Sequence, residues 1–205
     1  MAGIAASQPP TRVNRRKSMR NAMFIFTALV IAGCSGPSYQ NIQVGKFSGA
    51  IDVRWLNNDY FLFLPNKDDP FTFTRSDGRV IQPGSMYTDG GSIPRFGWGV
   101  KGFSPWSYAP GYMVHDWLFV AQHCDYAPDN DFTFQDSSLI LAECLKTLME
   151  ADPSICSYFV FNTVYTGVKT PIAKNLWEHG ACSPPVVTAD DFGEDPGTLI
   201  MTIRF

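Results

Sequence analysis

The chain changes its hydrophobic period near the middle, and that switch limits what it can fold into. Between residues 50 and 81 the apolar side chains come in short runs. Ala50-Ile-Asp-Val-Arg-Trp55 alternates, Tyr60-Phe-Leu-Phe-Leu64 is apolar and stops at Pro65, and Phe71-Thr-Phe-Thr74 alternates again. Ser76-Asp77-Gly78 then turns the chain into Arg79-Val80-Ile81. Period-two runs bounded by turn residues predict antiparallel strands and hairpins. From residue 110 the spacing becomes three and four, which predicts helices over 110–123, 133–150 and 154–179. In the second, Leu139, Leu141, Ala142, Leu145 and Leu148 form one buried stripe. Pro153 separates the second helix from the third, and Pro171 must kink or split the third. Residues 198–204 return to a strand, expected to pair with the first and tie the ends together. The predicted class is α+β: antiparallel strands with a C-terminal partner, packed with a three-helix module. Between the two halves, residues 83–111 are punctuated by Gly and Pro. A loop that long inside a compact domain is usually functional.

The first 33 residues contain Arg12, Arg15, Arg16, Lys17 and Arg20 and no carboxylate. An apolar run from Ala22 to Ile31 follows, then Ala32-Gly33-Cys34. A basic head, a short apolar core and small residues before a cut site make a secretory signal. The run is too short to span a bilayer, which needs ~20 residues. Ile31-Ala32-Gly33-Cys34 resembles the lipobox of bacterial lipoproteins, in which the cysteine is lipidated and the chain is cut before it. Either Met1 or Met19 can be the start. Ser35 in place of Asp after the cysteine resembles cargo sent to the outer membrane, facing the periplasm. The expected organisation is a signal peptide at 1–33, a lipidated tether at 34–46 and a single domain at 47–205. Removing the five basic residues of the signal leaves eleven Lys and Arg against nineteen Asp and Glu, a net charge of −8. That balance excludes a nucleic-acid partner, which needs a basic face. Membrane attachment would come from the lipid on Cys34. Four further cysteines in an oxidising compartment predict two disulfides. The expected pairing is Cys124–Cys182 and Cys144–Cys156, the second flanking the turn at Pro153.

Chemistry concentrates in Tyr108-Ala-Pro-Gly-Tyr-Met-Val-His-Asp-Trp-Leu-Phe119. Pro110 suits a first helical turn. One turn on, His115 offers an imidazole base near neutral pH, and Asp116 a carboxylate for a cation or a neighbour. Upstream, Tyr87-Thr88-Asp89-Gly90-Gly91-Ser92-Ile93-Pro94 can hold a hard cation through carbonyl oxygens or an oxyanion through amides. Asp136 opens the second helix. It can face His115, or serve only as an acid favoured by the helix dipole. No Gly-x-Ser-x-Gly occurs, and His123 and His179 have no zinc-ligand spacing, so both are expected to cap helices or face solvent.

The two motifs, with Asp136 and its apolar helix, resemble the bacterial and phage domain-of-unknown-function family 1353 over roughly residues 45–180. That family lends no established activity. A looser resemblance is to the secreted prokaryotic phospholipases A2, which share an Asp-Gly-x-Ser loop, a helical His-Asp pair and a second helical Asp about twenty-one residues after the His. This second resemblance implies a calcium ion held by Asp89, Gly90 and Asp116, His115 as the catalytic base and Asp136 as the residue orienting it. The chain departs from that pattern in Phe119, which has no hydroxyl, and in its β portion. Two readings follow. One is a calcium-assisted hydrolase of lipid esters, with phospholipid as substrate. The other is a non-catalytic envelope lipoprotein in which the same residues are structural or binding groups. A cell-wall substrate is a third idea, since Trp55, Trp98, Trp106, Trp117 and Trp177 can stack on sugars, although core packing also uses tryptophan.

Overall fold

The computed structural model describes residues 37–56, 61–88, 106, 108–182 and 197–205. The chain divides into two units, Met1–Gly33 and Cys34–Phe205, and every described residue belongs to the second. The fold is α+β, with antiparallel sheets and helices following in the order the period switch requires.

Two small sheets form the β part. One has the order β1 (Lys46–Ser48), β4 (Thr72–Thr74), β5 (Val80–Ile81). The other has the order β6 (Met86–Thr88), β3 (Phe61–Pro65), β2 (Ala50–Trp55), β7 (Thr198–Arg204). The C-terminal strand pairs antiparallel with β2 from Ala50↔Arg204 to Trp55↔Thr198, with a register shift between Val53 and Arg54. The ends are tied as the sequence suggests. On β2, Ile51 and Val53 are buried while Asp52 and Arg54 are half-buried, so the alternation turns one face inward. β6 lies inside the stretch expected as loop.

The helices are cut by their own punctuation. α2 (Ala109–Cys124) has proline in its first turn and ends at Asp125 in the left-handed region, φ 58. α3 (Phe134–Ala151) starts with a capping box between Thr133 and Asp136. The segment 154–179 is two helices, because Pro171 cannot continue a helix but can begin one. These are α4 (Tyr158–Gly167), capped by Ser157, and α5 (Pro171–His179), capped by Thr170. α2 packs between the sheets and α3. Its Val114, Trp117 and Leu118 join Ile51, Phe73 and Ile81 in one core, while Tyr112 joins Leu141, Leu145 and Phe161 in a second.

Two expectations are corrected. Residues 37–46 are not a loose tether. α1 (Pro37–Asn41) forms there, with Tyr39 and Ile42 buried in the second core, and Tyr39 meets Phe161 edge-on at 5.0 Å. Nor does Cys144 pair with Cys156. Cys144 is a buried free thiol in the seam between α2 and α3, where a side chain on Gly111 would meet its Cβ at 3.2 Å. It lies on the same helical stripe as Leu141, Leu145 and Leu148, so it points inward, away from the turn at Pro153. Burial pushes its thiol well above the usual range, with Glu143 adding to the effect against an opposing Arg75. The Cys124–Cys182 disulfide is present and joins the end of α2 to the chain beyond α5.

Candidate functional site

Tyr112, His115 and Asp116 occupy successive positions on one face of α2, at spacings of three and four. His115 Nδ1 contacts Asp116 Oδ1 at 3.4 Å, at the long end of hydrogen bonding. Asp116, not Asp136, is therefore the carboxylate at the imidazole. The ring leans on Phe119, centroids 5.1 Å apart. Phe119 in turn stands edge-on to Trp177 at 4.9 Å, which fixes one wall of the ring's slot. His115 is 5% exposed. Its Nε2 is buried and makes no hydrogen bond, and the same holds for the Tyr112 hydroxyl. Burial, then Tyr108, then Asp116 push the Tyr112 hydroxyl up, so it stays protonated as a donor. One helix face thus carries a basic nitrogen and a hydroxyl with no hydrogen-bond partner among the described residues. Sequence reasoning gave Tyr112 no role. Its spacing of three from His115 was the available signal.

Asp136 is occupied elsewhere. Thr133 donates to its Oδ2 from both the backbone N–H at 3.0 Å and the hydroxyl at 2.7 Å. Its Oδ1 lies 3.8 Å from Arg75 and 3.7 Å from Arg79. Burial alone would push its carboxyl up. The Thr133 hydrogen bonds and the charges of Arg79 and Arg75 outweigh burial and hold it below its usual range. No hydrogen bond joins Asp136 to His115, so the orienting role does not fall to it. Asp136 belongs instead to a buried ion cluster. Arg75 donates from Nε and Nη2 to the two oxygens of Glu143, each at 2.8 Å. Arg75 Nη1 makes no hydrogen bond but sits between Asp77 at 3.5 Å and Asp136. The cluster fastens the β4–β5 turn to α3. Glu143 inside an apolar helical stripe was its trace in the sequence.

The other polar positions are structural. Trp117 Nε1 donates to buried Asp129 at 2.6 Å, and Gln82 N–H donates to the same oxygen at 3.4 Å. His123 Nε2 meets the carbonyls of Leu176 and Trp177 at 3.0 Å each and so caps the end of α5. Gly180 lies flush against that imidazole, where a side chain would collide. His179 contacts the Asn175 carbonyl at 3.2 Å on the surface. Among the tryptophans, Trp117 and Trp177 are buried, while Trp55 and Trp106 are exposed.

Calcium takes six to eight oxygen ligands. Among the described residues no three His, Cys, Asp or Glu side chains are grouped so as to hold a metal ion, so Asp116 is the one expected ligand in view. Asp89 and Gly90 lie outside the described residues, as do Trp98 and Cys34. Among the described residues no helix is long and apolar enough to cross a membrane. No protein-family model, curated protein or solved structure matches the chain.

Proposed function

We propose that this chain is an envelope lipoprotein, anchored through a lipid on Cys34, whose His115 acts as the base in hydrolysis of a lipid ester. The observation that carries the reading is the pair of buried, unbonded polar atoms, Tyr112 Oη and His115 Nε2, on one turn of α2. A buried polar group without a partner costs about 1–3 kcal/mol. Asp116 at Nδ1 leaves Nε2 as the nitrogen that takes a proton from water. The resulting hydroxide adds to the ester carbonyl, and the imidazolium returns the proton to the leaving alcohol. Tyr112 would donate to substrate oxygen. Calcium held by Asp116, with the Asp89 carboxylate and the Gly90 carbonyl, would supply positive charge at the carbonyl oxygen.

The second reading, a non-catalytic lipoprotein, draws on the low exposure of His115 and on the commitment of Asp136 to its cap and ion cluster. Fatty-acid release from phospholipid vesicles separates the two. The hydrolase reading expects calcium-dependent release by the wild type and none by His115→Gln. It also expects calcium at a hundred times its Kd to stabilise the fold by about 2.7 kcal/mol, an effect weakened in Asp116→Asn. A folded wild type indifferent to calcium and releasing nothing leaves the binding or structural reading. The anchor has its own test. A Cys34 sulfur that carries lipid takes part in no disulfide, so peptide mapping that found Cys34 bonded to Cys156 would contradict it.

A further inference from the structure

The four-stranded sheet ends on β7, and that edge is built like the inside of a sheet. Edge strands are ordinarily kept short, charged, interrupted by proline or covered. β7 runs for seven residues, Thr198–Arg204, with no proline and one charge, at Arg204. Of the eleven large apolar side chains exposed among the described residues, five lie along this edge: Leu199, Ile200, Met201, Phe205, and Trp55 across from Thr198. Apolar exposure concentrated in this way marks an interaction surface. Met201 stands opposite Val53 and Ile203 opposite Ile51, so both turn to the core side of the sheet. Val53 is fully buried, yet Met201 is 45% exposed. Among the described residues, the apolar layer therefore reaches β7 and is left open there.

The backbone defines what completes this edge. Phe205 N–H donates to the Gly49 carbonyl at 3.1 Å. In an antiparallel ladder such residues alternate with ones whose N–H and C=O face away from the neighbouring strand. Met201–Arg204 pairs with Ala50–Val53 in regular register, the shift lying beyond Val53. Thr202 and Arg204 therefore turn their backbone groups outward. We propose that a second copy of this chain docks here, its β7 antiparallel to the first about a two-fold axis at Ile203, joining the two sheets into one. In this register Thr202 bonds Arg204 of the partner subunit, and Arg204 bonds the partner's Thr202. On the core side Met201 meets the partner's Phe205, and Ile203 meets the partner's Ile203, so apolar side chains pair with apolar ones. Phe205 is already held for this contact by Phe47, ring centroids 5.0 Å apart. The one charge on the strand faces a threonine, whereas a two-fold axis at Arg204 would oppose like charges. Such self-complementarity is what an isologous contact requires. It selects this chain's own β7 among the strands that an open edge could accept.

The test is sedimentation equilibrium of the unlipidated mature chain with its disulfides intact. One strand pair buries less than the roughly 1,000 Å² of a stable interface, so the dimer should be weak, half-formed on the order of 10–100 µM. Thr202→Pro takes away an outward N–H and no bond to β2. It should weaken dimerisation roughly tenfold, since each dimer loses two hydrogen bonds. Thr202→Ala loses the same hydroxyl, which donates to Asp52 at 2.6 Å, but keeps the N–H, and should dimerise like the wild type. Met201→Lys sets a charge in the apolar row and should weaken the dimer by about the same factor as the proline. Its side chain is exposed, so it carries the test if the proline variant melts early. A chain still monomeric at about 1 mM overturns the proposal. So does a dimer that both variants leave intact, which would place the interface elsewhere. Species that grow beyond two copies with concentration overturn it as well, because a two-fold contact closes at two.

Discussion

Two buried polar groupings sit on adjacent helices and are built in opposite ways. On α3, Glu143 receives both hydrogen bonds Arg75 can give in a fork, and Asp77 and Asp136 flank the remaining nitrogen. On α2, His115 holds one carboxylate at long range, and neither its Nε2 nor the hydroxyl of Tyr112, three residues earlier, has a hydrogen-bond partner among the described residues. In the first grouping the cation is held by the protein's own carboxylates, although Arg75 Nη1 meets Asp77 and Asp136 only at ion-pair distance and makes no hydrogen bond. In the second, polar capacity is left over. A buried group whose partner is missing from the fold either costs stability for nothing or awaits a partner from outside. On the proposed function, the difference separates a structural use of charged residues from a chemical one.

The largest effect should come from breaking the matched grouping. Glu143→Ala strands the Arg75 guanidinium in the core and should cost about 3–5 kcal/mol in denaturant unfolding. Replacing the pair together, Arg75→Met with Glu143→Leu, should recover most of that loss. If the single change is mild, the cluster is wetter than its burial indicates, and the contrast with α2 weakens.

Asp136→Ala comes next. It removes half of a capping box and one flank of the cluster, worth about 1 kcal/mol at neutral pH. The acid dependence should change with it. A carboxyl held below its ordinary value of 3.8 contributes stability that is present above that value and lost as pH falls through its lowered folded value. The variant should therefore lose less stability than the wild type on acidification through that range. Release of lipid ester should survive the change, since Asp136 does not touch His115. Abolished activity in a well-folded Asp136→Ala protein would restore it to the site.

The smallest structural effect belongs to the unmatched grouping. Tyr112→Phe removes a hydroxyl that bonds to nothing and should shift stability by less than about 1 kcal/mol. A loss of several times that amount would mean the hydroxyl is satisfied in solution.

Much of this was legible in the sequence where a residue acts locally. Pro110 and Pro171 set helix ends through their own backbone chemistry, and Ser76-Asp77-Gly78 made the turn between β4 and β5, whereas the caps at Thr133 and Ser157 came only with the structure. The packed helix at Pro37–Asn41 was hidden, because it is one turn and a half long and spends only Tyr39 and Ile42 on the core, too few to show a period. Asp136 misled for a physical reason. Thr133 three residues before it is the signature of a cap, and a carboxylate already holding two hydrogen bonds has little left to offer a distant imidazole. Cys144 misled as well. Its neighbours in sequence suggested a turn, but its place on the Leu141–Leu145–Leu148 stripe put it inside. The buried pairing of Arg75 with Glu143 joins residues far apart in the chain, and no local pattern encodes that distance.

The most direct measurement of the central claim is chemical denaturation of His115→Leu beside the wild type at pH 7. Leucine fills nearly the same volume and brings no unpaired nitrogen, and half-exposed Asp116 can be solvated once the imidazole is gone. If Nε2 is reserved for substrate, the variant should be as stable as the wild type to within about 1 kcal/mol, or more stable. A loss of about 3 kcal/mol or more would contradict the account, because it would show that His115 is a bonded part of the core.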